Sequence, residues 1–288
     1  MSWEFERVAG PYQFTEGPAW DGTGMLFTDI PNNRIMRFDP ETGETAEHIS
    51  NTNEGNGLIF DKDGLLYVCE GGGRCMSRYD GSTRTVLCDS FEGKRLNSPN
   101  DCAVDTQGRV WFTDPRYGGN REDMELSHES IFRLDPQDGG SWSIKRMTFD
   151  TTRPNGLLVS SDCKTLFVAQ SDPGENEKRE LRGYPINDDD TLGDYEILHT
   201  FFPHRGIDGM CLDVEGNLVA TAGWSQSGPG PMIYVFAPSG RVLETHPVEV
   251  NPTNCTFGDA DLQTLYVTNA AGELLRARTD RKGWLIYP

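Results

Sequence analysis

No window of the 288-residue sequence approaches the roughly 18 apolar residues that a membrane helix needs. The N-terminal stretch MSWEFERVAGPY has neither the basic n-region nor the apolar h-region of a signal peptide. Positive charge is scarce: 26 Lys and Arg stand against 45 Asp and Glu, a formal net charge of −19. A phosphate-binding footprint must be basic, so nucleic acid is excluded as a partner, and an anionic membrane surface with it. The seven cysteines (69, 75, 88, 102, 163, 211 and 255) are odd in number and never spaced C-x-x-C. Several sit inside apolar stretches, where a free thiol behaves as a small hydrophobe, which predicts a reducing, cytoplasmic setting. Sustained helical periodicity is missing too, which leaves strands and turns to build the fold.

What is present is a repeat. Six segments align: EGPAWDGTGMLFTD from Glu16, NGLIFDKDGLLYVC from Asn56, NDCAVDTQGRVWFT from Asn100, NGLLVSSDCKTLFVA from Asn155, DGMCLDVEGNLVAT from Asp208 and NCTFGDADLQTLYV from Asn254. Each runs from a polar residue through a short apolar stretch into a turn, at Asp21, Asp61, Asp105, Ser160, Asp213 or Asp259, and then into a second β-rich stretch. The starts lie 40, 44, 55, 53 and 46 residues apart, the period of a propeller blade with four short strands. Further strands fit near 34–40, 74–80, 130–136, 181–186 and 232–238. The polar insertions at 120–130 and 171–180 read as surface loops. Only 34 residues follow Asn254, too few for a whole blade, so a strand around Trp3–Val8 is expected to close the last one. The expected architecture is all-β: one six-bladed β-propeller domain over residues 1–288, with four-stranded antiparallel blades.

The position that opens each repeat reads Glu16, Asn56, Asn100, Asn155, Asp208 and Asn254. The innermost strand of every blade lines the central channel, so these side chains are expected to converge as a ring of two carboxylates and four carboxamides. Burying two carboxylates together without compensation is expensive, which calls for a proton or a cation between them. Hard oxygen donors suit Ca²⁺ first, with Mg²⁺, Mn²⁺ or Zn²⁺ as alternatives. The bland reading is that each Asn or Asp merely caps a turn, but it weakens when one position is so filled six times.

FTEGPAW (14–20), RLNSPND (95–101), RPNGL (153–157) and GIDGM (206–210) resemble the four channel motifs of the SMP-30/gluconolactonase/luciferin-regenerating-enzyme-like family. CEGGGRCMSRYD (69–80) and WFTDPRYG (111–118) resemble its gluconolactonase-type branch, and the likeness spans the chain in order. It implies a divalent-metal-dependent lactonase whose metal is held by Glu16, Asn100, Asn155 and Asp208, four of the six ring positions. Asn56 and Asn254 then stand outside the metal as outer partners. Asp208 is the candidate general base and Glu16 the anchoring carboxylate, with an activated water opening a sugar lactone such as gluconolactone.

Candidates for substrate contact are Arg95 or Asn97 in the RLNSPND loop, Arg116 and Tyr117 in DPRYG, His204 before GID, and Trp224 after the fifth repeat. Ordinary loop packing explains each of them equally well. In the vertebrate-type branch an arginine two residues before the PND asparagine binds sugar; here that position is Ser98.

Two other readings stand beside this one. The same scaffold serves lactones, aryl esters or organophosphates when its wall is apolar, and a propeller with a structural ion serves as a binding module. Rival catalytic motifs fail. GWSQSG (223–228) lacks the last glycine of a nucleophile elbow, the S-x-x-K at Ser161–Lys164 falls in a hairpin turn, and NDDDTLGD (187–194) lacks the glycine placement of an EF-hand loop. The expected partner is a small lactone, and the chain is expected to work as a monomer or a dimer.

Overall fold

A computed structural model describes residues 3–117 and 121–288. Six antiparallel sheets surround one axis as the blades of a propeller. Blade 1 runs outward through Thr15–Trp20, Met25–Asp29, Arg34–Phe38 and Thr45–Ser50, and blade 2 through Gly55–Phe60, Leu66–Glu70, Cys75–Asp80 and Thr83–Cys88. Blade 3 comprises Cys102–Val104, Val110–Asp114, Ser130–Pro136 and Trp142–Arg146; blade 4 comprises Pro154–Val159, Thr165–Ser171, Arg179–Pro185 and Glu196–Thr200. Blade 5 is built from Ile207–Asp213, Leu218–Trp224, Ser227–Phe236 and Val242–Pro247. Blade 6 has three strands from the C-terminal part of the chain, Pro252–Gly258, Thr264–Asn269 and Leu274–Arg278; its fourth is N-terminal, Glu6–Ala9, paired with the third. The ring therefore closes as the sequence predicts, with the closing strand starting three residues and ending one residue further along than expected.

The repeat explains why each blade folds locally. In four blades the aspartate opening the inner hairpin accepts hydrogen bonds from amides two to four residues ahead: Asp21 from Thr23 and Gly24, Asp61 from Asp63 and Leu65, Asp105 from Gln107 and Arg109, Asp213 from Glu215 and Asn217. Apolar residues of the inner strands are buried between neighbouring blades, as with Leu157, Leu166 and Val168 of blade 4 against Ala103 and Trp111 of blade 3. The predicted insertions are irregular over 121–129 and 172–178; residue 120 lies outside the described residues.

One element was not legible in advance. Gly283–Trp284 adds a fifth strand to blade 5, pairing with Leu212 and Asp213 at the far end of its inner strand. From there residues 284–287 cross the base of the channel. Trp284 packs on the core between blades 4 and 5, Leu285 on that between 6 and 1, and Ile286 on that between 2 and 3. Between this plug and the polar ring lies a small cavity of about 100 Å³, lined by Ala19, Leu58, Cys102, Leu157, Met210 and Cys255.

Candidate active site

The ring residues are aimed by irregular backbone. In five blades the pairing of the two innermost strands slips where the ring residue sits, between Glu16 and Ala19, Gly55 and Leu58, Pro154 and Leu157, Ile207 and Met210, and Pro252 and Cys255. Such a slip bends a strand and redirects a side chain, here toward the axis. In blade 3, Asn100 precedes the inner strand and is tied by its amide to the Thr113 carbonyl (2.9 Å).

A glycine follows the ring residue in blades 1, 2, 4 and 5 for a steric reason. A Cβ on Gly17 would land on the Asn56 carbonyl, one on Gly57 on Asp101, one on Gly156 on the Asp208 carbonyl and one on Gly209 on the Asn254 amide. Each glycine thus lets the next blade's ring segment close up. A threonine on the second strand ties the same seams: the Thr28 hydroxyl donates to the Asn56 carbonyl (3.1 Å) and the Thr221 hydroxyl to the Thr253 carbonyl (2.7 Å).

Glu16, Asn56, Asn100, Asn155 and Asp208 come together at the base of a cavity of about 680 Å³ that opens on one end of the channel. Asn254 lies just beneath, buried. Asn155 donates to Oδ1 of Asp208 (2.6 Å), and the Gly17 amide donates to Glu16 Oε2 (2.6 Å). Among the described residues, the Asn56 and Asn100 carboxamides have no side-chain hydrogen bond within the chain. Burial, and then the negative charges of Asp208 and Asp101, push the Glu16 carboxyl well above the usual range. Burial also raises Asp208, while the Arg205 guanidinium and the Asn155 amide pull it back.

Two residues of this site carry no assignment in the sequence reading. Asp101 occupies, in blade 3, the column that is glycine in four other blades. It is buried, accepts from the Cys102 amide (2.9 Å) and Asn254 Nδ2 (3.3 Å), and burial raises it to about 7. An acid in a glycine column was the available signal. Arg205 donates to Asp208 Oδ2 and, through Nη1, to the carbonyls of Gly223 (2.9 Å) and Pro252 (3.1 Å). Nothing in the repeat marks it.

Of the six candidates for substrate contact, Tyr117 and Trp224 line the cavity. The Tyr117 hydroxyl donates to the Arg153 carbonyl (2.9 Å), and burial together with Asp208 raises its pKa well above normal; Trp224 is 42% exposed. Asn97 is fully buried instead: its amide nitrogen donates to the carbonyls of Asp114 (3.0 Å) and His128 (3.1 Å), so it fixes the loop. Arg116 pairs with Asp123 (2.7 Å) and the Asn97 carbonyl, while Arg95 sits on an exposed two-residue strand, Lys94–Arg95. The His204 ring packs over Gly228, and its amide donates to the Phe201 carbonyl (2.8 Å). None of these four lines the cavity.

The donor set can hold one hard cation. No group of three or more His, Cys, Asp or Glu placed to hold a metal occurs among the described residues, so a cation would need the carboxamide oxygens beside Glu16 and Asp208. Mutually repelling, buried carboxylates beside the Asn56 and Asn100 carboxamides, which have no side-chain hydrogen bond among the described residues, fit a divalent cation bound through oxygen.

A six-bladed propeller with carboxylates and carboxamides gathered at one end of its channel defines the class. The chain belongs to the SMP-30/gluconolactonase/LRE-like family, which matches residues 14–271. It is 32% identical to the gluconolactonase of Zymomonas mobilis over 98% of this chain and 83% of that one. The fold superposes on the Xanthomonas campestris gluconolactonase XC5397 with a TM-score of 0.83 and 30% identity, covering 96% of this chain and 89% of the other. A third relative, the 6-deoxy-6-sulfogluconolactonase of Pseudomonas putida, is 25% identical over 91% of this chain and 85% of its own length. No helix among the described residues is long and apolar enough to cross a membrane.

Proposed function

We propose that this protein is a divalent-cation-dependent hydrolase that opens sugar lactones of the gluconolactone type. The observation that carries the reading is the pairing of Glu16 and Asp208 with Asn100 and Asn155 at the base of a solvent-open cavity large enough for a sugar ring. Similarity to gluconolactonases supports the reaction class.

Glu16, Asn100, Asn155 and Asp208 would hold the cation, with Ca²⁺ the first choice; when bound, it polarises the lactone carbonyl and lowers the pKa of water. Glu16 anchors it. Asp208, hydrogen-bonded by Asn155 and Arg205, accepts a proton from the water that attacks the carbonyl carbon. It returns that proton to the ring oxygen as the C–O bond breaks, which leaves the hydroxy acid. Tyr117 and Trp224 supply flat surfaces against which a lactone ring packs.

A second reading concerns the substrate. Phe14, Pro173, Pro203, Ile207 and Trp224 give the upper cavity an apolar flank, which favours lactones or esters with apolar substituents. The 27% identity to the diisopropyl-fluorophosphatase of Loligo vulgaris, over 92% of this chain, supports this breadth.

The deciding experiment strips the protein with a chelator and assays a panel of sugar, alkyl and aryl lactones after adding back Ca²⁺, Mg²⁺, Mn²⁺ or Zn²⁺. Restored turnover of an aldonolactone is the expected result. Absence of turnover of every lactone under every cation overturns the proposal and leaves a binding module.

A further inference from the structure

Asp208 is held from two sides. Asn155 of blade 4 donates to Oδ1 (2.6 Å), and Arg205, from the turn entering blade 5, donates to Oδ2. The guanidinium cannot swing away freely, because its Nη1 is fastened to the carbonyls of Gly223 in blade 5 and Pro252 in blade 6. The other arginine lining the cavity, Arg179, is turned into the wall. It donates to the carbonyls of Pro173 (3.0 Å), Gly174 (2.8 Å) and Pro203 (3.3 Å), and so buttresses the turn that carries Arg205. Among the described residues, Arg205 is therefore the one cavity-lining cation in contact with the ring.

Charge balance gives this contact a purpose. Three carboxyl groups, those of Glu16 and Asp208 in the ring and Asp101 beneath it, lie within electrostatic reach of one another. One guanidinium and one divalent cation together neutralise three carboxylates. Without the guanidinium, a divalent cation would face an excess of negative charge and would draw both Asp208 oxygens toward itself. With it, Oδ2 stays oriented toward Arg205. An oxygen that accepts from Arg205 keeps a lone pair for the proton of a water, so one carboxylate can serve as ligand and as base.

Building on the cation-site reading above, we infer that Arg205 is a positioning residue. It holds one oxygen of Asp208 off the cation, weakening cation binding while keeping Asp208 competent as a base. This assigns a role to a residue that touches the ring yet has no counterpart in the other five repeats.

The test uses full-length protein stripped by chelator, with Ca²⁺ binding followed by calorimetry and lactone hydrolysis measured beside it. R205M removes the charge and the donors. Its Ca²⁺ affinity is expected to rise about tenfold or more as a repelling charge is lost. Its kcat should fall about tenfold while KM moves much less, since the base is disturbed while Tyr117 and Trp224, the flat surfaces proposed to pack on the lactone ring, are untouched.

R205K keeps the charge but loses the fork that reaches Asp208 and two carbonyls together. Its Ca²⁺ affinity should stay within about threefold of wild type while kcat still falls. Thermal unfolding and far-ultraviolet circular dichroism establish that each variant is folded; should R205M not fold, R205K carries the test alone. Unchanged or weakened Ca²⁺ affinity in folded R205M, or wild-type kcat in R205K, overturns the inference and leaves the cation-site reading intact. Wild-type protein that binds none of the four cations overturns both.

Discussion

Asn254 of blade 6 donates its side-chain amide to Asp101 of blade 3 over 3.3 Å, joining opposite sides of the propeller beneath the ring. That bond and the Cys102 amide are what Asp101 receives in exchange for burial, and they do not suffice: its pKa is raised to about 7. An acid with a raised folded-state pKa binds a proton in the folded protein at pH values where the unfolded chain has released it. Stability therefore falls as pH rises from about 4 to about 7 and is level above that. Asp114, also raised to about 7 by burial, acts with the same sign. The cation-stripped protein is expected to unfold at a higher temperature at pH 5.5 than at pH 8. D101N, which keeps the acceptor for Cys102 but cannot ionise, should gain a few kcal/mol at pH 8 and flatten the dependence. Denaturant unfolding at the two pH values measures this.

The two ring carboxylates should fail differently. D208N removes the proposed base and is expected to lower kcat for lactone hydrolysis by about 10²–10⁴-fold. E16Q keeps the shape but takes away the anchoring charge, so its loss should appear first as weaker Ca²⁺ binding and be partly recovered at high Ca²⁺. Steady-state kinetics across a Ca²⁺ titration separates the two; near-native hydrolysis by both variants would exclude these roles.

The fold was legible because one local pattern recurs: ring residue, apolar stretch, Asp turn, second strand. Six copies at a blade-length period leave few architectures open. The ring was legible for the same reason. What escaped was set by contacts between blades. Asp101 sits in a column that four other blades fill with glycine, and only the approach of blade 2's Gly57 and blade 6's Asn254 shows where it points. Arg205 depends on two carbonyls from distant parts of the chain. Asn97 read as a mouth residue, yet its amide is consumed by the Asp114 and His128 carbonyls that hold its loop. Polar loop residues look alike in sequence whether they face substrate or their own backbone.

The seam glycines offer a test of how tightly the ring is set. In G156A the added methyl would fall on the Asp208 carbonyl, a backbone atom that cannot rotate aside. Blades 4 and 5 must then part locally, at a cost of about 1–3 kcal/mol typical of overpacking. The shift falls between two proposed cation-binding residues, Asn155 and Asp208. G156A is therefore expected to lose Ca²⁺ affinity and hydrolysis to a greater extent than its drop in melting temperature suggests. Equal activity at a lowered melting temperature would mean the ring tolerates looser seams.

The C-terminal plug should matter to stability and not to chemistry. Gly283 donates its amide to the Leu262 carbonyl (2.7 Å), and a Cβ there would strike the Phe257 ring, so the tail enters through a gap only glycine fits. Beyond it Trp284, Leu285 and Ile286 each rest on a different inter-blade core, and the Tyr287 ring lies 5.5 Å from that of Phe60. Deleting residues 283–288 exposes those three cores at once. Taking half-buried side chains at the low end of the usual range, the loss is roughly 3–6 kcal/mol. The polar ring lies at the opposite end of the inner strands, so a truncated protein kept below its lowered melting temperature should retain Ca²⁺ binding and kcat. Calorimetric unfolding together with lactone assays at low temperature decides the matter. A truncated chain that is as stable as the whole one would show that the tail merely lies on the base of the channel; one that folds but cannot hydrolyse a lactone would show that the base and the ring are coupled through the small cavity between them.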